Sequence, residues 1–310
     1  CIVYNSLPLV KVTDNNFNDL FHEIGRYLDT IVHVIRPKDV IFIAVDGPAP
    51  FAKCSQQRSR RFVSARDHNP ENFDKTAISV GTVFMEQLNE FLKSFFRMKT
   101  MSDPVWRKPQ LIYSSHRVPG EGEHKFLEYL RKQKRMNLLS EEMVHCVYSP
   151  DADLIFLGLQ TREPNFYILR ECDSWIGPNE NVGNARLNKL RSSGNDYELL
   201  SLSLLREYFK LDYNEIDDID RLIDEFATFS FLLGNDFIPH FPDVFINDGD
   251  FGLIVKTYQE SLMKNHLFLV EDRKINKKNL KIFLENVVKA FHEKQVPKAI
   301  LKLRAKPEYD

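Results

Sequence analysis

The sequence predicts an α/β protein with a mainly parallel central sheet flanked by helices, and a helical C-terminal part. Three observations carry this. Short apolar runs of strand length alternate with stretches of helical apolar spacing through the first part of the chain. Acidic residues stand at, or just after, the ends of several of these runs, where open α/β sheets place their ligands. From residue 199 onward helical patterns dominate. Residues 1–198 therefore form the α/β core, and 199–310 a mostly helical extension of the same domain.

The elements follow in order. Residues 14–35 carry Phe17, Leu20, Phe21, Ile24, Leu28 and Ile31 at helical spacing, and Pro37 ends that helix. VIFIAV (40–45) is a strand that runs into Asp46. Residues 55–66 are polar and basic, and HNPEN after them makes a loop. Phe84, Leu88, Phe91, Leu92 and Phe95 stripe a long helix over 81–98. QLIYSS (110–115) is a short strand, and EGEHKFLEYLRKQ (121–133) a helix that starts at its acids. VHCVYS (144–149) is a strand, ADLIFLGLQT a buried helix or strand, and NFYILRE (165–171) another strand. A Gly-, Asn- and Ser-rich stretch near 174–198 has no periodicity and is a flexible loop. Helices then cover 199–210, 218–234, 250–264 and 277–292, with no internal repeat.

Composition bounds the class. The 310 residues are 43% apolar and include 24 Phe, enough for a substantial core in a soluble globular chain. No apolar stretch approaches the roughly 20 residues of a spanning helix. The net charge of −2 hides segregation, because five cations and no acid lie between Lys53 and Arg66. The cysteines (Cys1, Cys54, Cys146, Cys172) lack C-x-x-C spacing and read as free buried thiols of a reducing compartment. The chain begins at Cys1 inside the apolar CIVYN, without Met or a signal-peptide pattern, and reads as a fragment whose N-terminus precedes it.

Six acids then stand out: Asp46 in IFIAVDGPAP, Glu121 and Glu123 in RVPGEGEHK, Asp151 and Asp153 in VYSPDADLIFLG, and Asp236 in FLLGNDFIPH. Each has an ordinary alternative. Asp46-Gly47 suits a strand-ending turn. Glu121 and Glu123 suit a helix first turn. One of Asp151 and Asp153 suits an N-cap. The alternatives weaken together. Glycines on both sides of Glu121 disfavour helix initiation and suit a backbone that must approach something closely. Two acids as close as Asp151 and Asp153 repel without a cation. Asp236 follows an apolar helix, where the macrodipole disfavours an acid, although Gly234 explains the turn. Divalent metal is the natural countercharge, and carboxylate-held metals are common equipment for cutting phosphodiesters. Beside Asp46, the segment PFAKCSQQRSRRF offers Lys53, Gln56, Gln57, Arg58, Arg60 and Arg61 as donors without acid, either a solvated face or a phosphate grip.

DGPAPFAKCSQQRSRRF, VPGEGEHKFLEYLR, YSPDADLIFLGLQTREPNFYILRE, ELLSLSLLREY and FLLGNDFIPHFP together resemble, in order and spacing, the N-terminal catalytic region of the Xrn/Rat-type 5′→3′ exoribonucleases. The match runs over essentially the whole chain, and the looser relatives are the PIN-like and flap-endonuclease nucleases. The resemblance implies a PIN-like nuclease core in one catalytic region, 1–310, truncated at both ends. It implies that Asp46, Glu121 and Glu123 hold a first Mg²⁺, and that Asp151, Asp153 and Asp236 hold a second, with Glu123 bridging. Mn²⁺ would substitute. It implies that Lys53, Gln57, Arg60 and Arg61 form the pocket for a 5′-monophosphate, with Lys53 also steadying the scissile phosphate. The implied reaction is hydrolysis of single-stranded RNA from its 5′ end, with two metals roughly 3.5–4 Å apart and nucleoside 5′-monophosphates as products. In the family a further Asp, in an Asp-x-Asn motif, and a base-stacking His lie near the N-terminus, and CIVYNS resembles the sequence just after that Asp.

Two alternatives belong to other classes. A structure-specific 5′ flap-type DNA nuclease calls for a duplex-binding helical motif after Asp236, and none is visible. An inactive RNA-end-binding scaffold would not need all the visible acids. The setting expected is intracellular, with no membrane; the sequence does not separate a nuclear from a cytoplasmic setting, is compatible with a viral origin, and leaves protein partners unknown.

Overall fold

A computed structural model of the chain describes residues 2–7, 17–66, 73–151, 153–171, 197–213, 216–235, 238–242, 244, 249–271 and 274–304. Asp236, Cys1, Cys172, the loop HNPEN and nearly all of the loop expected near 174–198 lie outside these residues. The chain divides into two compact units, Cys1–Ser203 and Leu204–Asp310.

In the first unit a short helix α1 (Ile2–Ser6) precedes α2 (Asn18–Ile35), whose buried Leu20, Phe21, Ile24, Leu28, Ile31 and Val32 recur at helical spacing. Arg36 takes a left-handed conformation (φ 51°) just before Pro37, so the helix stops where the proline requires. Strand β1 (Val40–Ala44) follows, then α3 (Phe51–Arg66), α4 (Val83–Ser102), α5 (Pro104–Arg107) and β2 (Gln110–Ser114). Thr82 caps α4 by accepting the Met85 N–H, and Asp103 caps α5 ahead of Pro104. Strands β1 and β2 pair in parallel, Val40 opposite Gln110 through Ala44 opposite Ser114. Their core joins α2 and α4 through Phe84, Leu88, Leu92, Phe96 and the fully buried Trp106.

Helix α6 (Gly122–Arg135), β3 (His145–Tyr148), α7 (Asp153–Thr161), β4 (Phe166–Glu171) and β5 (Tyr197–Ser201) complete this unit. β3 and β4 are parallel, and β5 runs antiparallel to β4. Phe126 of α6 packs on Phe42 of β1 and on Phe166 of β4, so one helix bridges the two small sheets. The apolar ADLIFLGLQT resolves as the helix α7; a Cβ at Gly158 would sit 2.5 Å from the Leu202 side chain, so that face packs tightly.

The α/β arrangement is as expected, yet the described pairings form small separate sheets, and the strand at the edge of the second is antiparallel. Residues 199–201, expected to be helical, belong to β5. Leu199 and Leu200 lie opposite Leu169 and Ile168, and this long-range pairing overrides a leucine spacing that suits either element. The cysteine expectation also shifts: Cys54 is exposed, while burial pushes the Cys146 thiol up to about 11.

The second unit is helical. Helix α8 (Leu202–Asp212) leads into it, followed by α9 (Ile219–Ser230), α10 (Asp250–Ser261), a small hairpin of β6 (Val270–Glu271) and β7 (Lys274–Ile275), and α11 (Lys277–Arg304). Its core gathers Leu222, Phe229, Ile254, Tyr258, Leu262, Leu269, Phe283 and Val287. The hairpin carried no turn dipeptide or alternation long enough to be read from sequence. Among the described residues no helix is long and apolar enough to cross a membrane.

Candidate metal centre and phosphate grip

The site grows from the carboxyl ends of β1 and β2. Val45 N–H still bonds Ser114 O at 2.9 Å, the last rung of the pair. The chain then turns, and Gly47 N–H donates to Gly120 O (2.9 Å) while Gly120 N–H donates to Pro48 O (3.0 Å). Gly47 is obligatory here, because a Cβ would fall 1.8 Å from Val118 O. Gly120 takes φ +101°, a conformation glycine alone adopts readily.

This lacing brings Asp46 to the N-terminus of α6. Its Oδ1 accepts the Gly122 N–H at 2.7 Å, supplying one of the free helix donors with an anion. A Cβ on Gly122 would stand only 3.4 Å from both Asp46 Oδ1 and Ala44 O. The close approach that the glycines around Glu121 suggested is thus an approach to Asp46 itself.

Glu121 occupies the N-cap position of α6 without a side-chain capping bond. Its carboxylate meets Lys53 Nζ at 3.0 Å and His124 Nε2 at 3.8 Å. Donor atoms of Glu121, Glu123 and His124 all lie within 4.8 Å of one another. Glu123 is pushed up to about 7 by burial first, then by the charges of Asp151, Glu121, Asp153 and Asp46. That list places the acids of three separate segments around one carboxyl. Asp153 opens α7, Asp151 precedes it, and both are exposed at the end of β3. Of the six acids, Glu121 and Glu123 bring donor atoms together, and Asp46, Asp151 and Asp153 stand near enough for their charges to act on Glu123; Asp236 lies outside the described residues.

The basic segment, to which the sequence assigned no element, is the helix α3. Lys53, Gln57, Arg60 and Arg61 fall four, seven and eight residues apart from the first and share a face. They grade from buried Lys53 through half-buried Gln57 to exposed Arg60 and Arg61, and Arg61 donates to Gln57 Oε1 at 3.4 Å. Lys53 therefore links the cationic face to the acids through Glu121.

Three residues escaped the sequence reading. Tyr4 on α1 has its hydroxyl's proton affinity raised by partial burial and also feels the charges of Arg61, Arg60 and Asp46. His124 joins the acid cluster from the first turn of α6. Lys125, only 6% exposed, donates to Val45 O (2.7 Å) and Ser115 O (2.9 Å) beneath Asp46. The H-K pair after EGE was visible, but only the fold shows where each side chain goes.

Glu121 and Glu123 are oxygen donors of the kind hard divalent cations take, and the like charge of Asp46, Asp151 and Asp153 around Glu123 is what such an ion would relieve.

Comparison with known proteins gives the context. Residues 2–172 match the family model for the XRN 5'-3' exonuclease N-terminus, and residues 216–307 match that for the Xrn1 helical domain. The chain is 37% identical over 288 residues to 5'-3' exoribonuclease 1 of Saccharomyces cerevisiae, covering 86% of this chain and 18% of that protein. It is 37% identical over 268 residues to 5'-3' exoribonuclease 1 of Homo sapiens, covering 79% of this chain and 15% of that protein. It is 32% identical over 330 residues to 5'-3' exoribonuclease 2 of Candida albicans, covering 94% of this chain and 34% of that protein. The chain thus spans between 15% and 34% of the length of these relatives. With the N-terminal model alone matching residues 2–172 of 310, the chain belongs to the XRN 5'-3' exonuclease family.

Proposed function

We propose that this chain is the catalytic region of a 5′→3′ exoribonuclease that hydrolyses single-stranded RNA bearing a 5′-monophosphate and releases nucleoside 5′-monophosphates. The observation that carries the reading is the junction of two opposite charge groups. The charges of four other carboxylates bear on Glu123, and the cationic face of α3 joins them through the Lys53–Glu121 ion pair, 3.0 Å long. The names of the relatives support the same activity.

Asp46, Glu121, Glu123, Asp151, Asp153 and Asp236 are the residues that would hold two Mg²⁺ ions, with Mn²⁺ as a substitute. Bound divalent metal supplies an activated water and neutralises charge on the leaving oxygen. The protein's own groups do the rest. Lys53, Gln57, Arg60 and Arg61 grip a 5′-terminal phosphate, the arginines through planar forks that match its oxygens. A 5′-hydroxyl leaves those donors without an anion, and a bulkier capped end does not fit. Lys53, held at the acid cluster, steadies charge on the scissile phosphate.

The reading extends to organisation. On this reading 1–310 is one catalytic region, with 1–198 its α/β core and 199–310 its mostly helical extension. The parallel pairs β1–β2 and β3–β4, which form separate sheets among the described residues, belong on this reading to one mainly parallel sheet beyond whose strands Asp46 and Asp151 stand. An intracellular setting is supported by the free thiols of Cys54 and Cys146.

The test is digestion of matched single-stranded RNAs with 5′-phosphate or 5′-hydroxyl ends, with Mg²⁺ and with EDTA. Rapid, Mg²⁺-dependent release of mononucleotides from the phosphorylated RNA alone is expected. Equal rates on both ends would remove the phosphate grip, and undiminished activity in EDTA would remove the metal centre.

A further inference from the structure

We propose that Lys125 is a positioning residue for the acidic cluster: it fixes Asp46 relative to Glu121 and Glu123 and thereby sets the affinity of the site for a divalent cation. The inference rests on the metal reading above.

Lysine is almost never fully buried without partners, and Lys125 is 6% exposed. Its Nζ donates to Val45 O at 2.7 Å and to Ser115 O at 2.9 Å. These carbonyls stand one residue beyond the ends of β1 and β2, past the last rung between the strands. The Val45 carbonyl belongs to the peptide unit whose nitrogen is that of Asp46. Lys125 therefore grips the main chain immediately before Asp46, while the Gly122 N–H grips the Asp46 side chain at 2.7 Å. Both donors come from the start of α6.

The same helical turn carries Glu121 and Glu123. Lys125 N–H bonds Glu121 O at 3.0 Å, so one rigid segment presents two acids and holds the third in place. A purely apolar side chain filling the same space would leave two strand-end carbonyls without their donor. An ammonium satisfies both, and its charge lies within reach of the Asp46 carboxylate, which counters the lowering of the lysine's proton affinity by burial. A loop held from main chain and side chain at once is what a metal-ligand constellation needs, since supporting groups around ligands typically control metal affinity by about 10–100-fold.

The experiment is a double-mutant cycle on the purified protein, read as Mn²⁺ binding from the loss of the free-ion paramagnetic resonance signal, without RNA. Wild type, Lys125→Met, Asp46→Asn and the double variant are compared, with circular dichroism and thermal unfolding as the check on folding. Lys125→Met is expected to weaken Mn²⁺ binding by about tenfold or more. On the Asp46→Asn background the same change is expected to cost less than about twofold, because the residue acts through Asp46. Wild-type affinity in Lys125→Met, or the same loss on both backgrounds, overturns the proposal and leaves Lys125 a support of the fold alone. If Lys125→Met does not fold, the cycle is run with Lys125→Gln, which keeps an N–H donor on a shorter stem, under the same two criteria. Unchanged affinity in Asp46→Asn itself overturns the metal reading of Asp46, and with it this one; a loss there without a loss in Lys125→Met overturns only the role of Lys125.

Discussion

Glu123 in the first unit and Glu225 in the second are both helical acids whose proton affinity is raised, with burial the largest cause in each. Their surroundings are opposite. Glu225 is fully buried and accepts the N–H groups of Leu269 (2.7 Å) and Val270 (2.6 Å) and the Tyr258 hydroxyl (2.9 Å). Those bonds pull its proton affinity back down. Glu123 is instead pushed further up by the acids around it. The second carboxyl staples α9 to α10 and the hairpin; the first sits among carboxylates whose charges raise its proton affinity. Satisfied burial marks a structural acid, and burial among like charges marks a candidate functional one.

The comparison breaks most visibly at the crowded end. Asp153→Asn is expected to lower RNA hydrolysis by at least about 100-fold while leaving the fold intact and RNA binding nearly unchanged. Turnover assays with a parallel filter-binding measurement check this, and wild-type turnover would remove Asp153 from the metal set.

At the satisfied end, Glu225→Ala leaves two backbone donors and the Tyr258 hydroxyl buried without their acceptor. A loss of about 3–5 kcal/mol is expected, measured by urea unfolding of the helical unit's signal. A loss below about 1 kcal/mol would mean that solvent enters and satisfies these groups.

The pH dependence separates the two directly. Native Glu123 keeps its proton up to about 7, whereas an unfolded glutamate releases it near about 4.3. Between these values the native state binds more protons, so stability of the metal-free protein falls as pH rises through that window. With screening by nearby solvent the fall is about 1–2 kcal/mol. Denaturant midpoints at pH 5 and pH 8 read it out, and saturating Mg²⁺ is expected to abolish the difference. A flat profile without metal contradicts the crowding.

The smallest effects probe the backbone around Asp46. Gly47→Ala forces a Cβ to within 1.8 Å of Val118 O and is expected to cost about 2 kcal/mol or more. Gly122→Ala meets Asp46 Oδ1 at only 3.4 Å and is expected to stay within about 1 kcal/mol of wild type. Equal melting temperatures for the two would show that the turn, not α6, is the adaptable partner.

Much of the fold was legible because local pattern and tertiary role agree. The stripe Leu20, Phe21, Ile24, Leu28 made α2 readable, and the run ending in Asp46 made β1 readable. What escaped depended on distant partners. Leu199 and Leu200 are strand residues only because Leu169 and Ile168 lie opposite them. The chain Lys53–Arg61 showed its charge in sequence, yet its low apolar content hid the helix that aligns those cations on one face. At the site, residue types named the acids, while Tyr4, His124 and Lys125 lacked a pattern that distinguished them from ordinary polar residues.

By itself the sequence determined which acids and cations this protein has, their order along the chain, and the α/β alternation that sends Asp46 and Asp151 beyond strand ends, because side-chain chemistry and hydrophobic period are local properties. Tertiary structure alone decided that Asp46 caps the helix bearing Glu123, that Lys53 pairs with Glu121, and that Lys125 holds the strand ends beneath them. The reason is physical: hydrogen bonds and charge interactions act over a few ångströms, and only the packed chain brings residues 76 positions apart within that range.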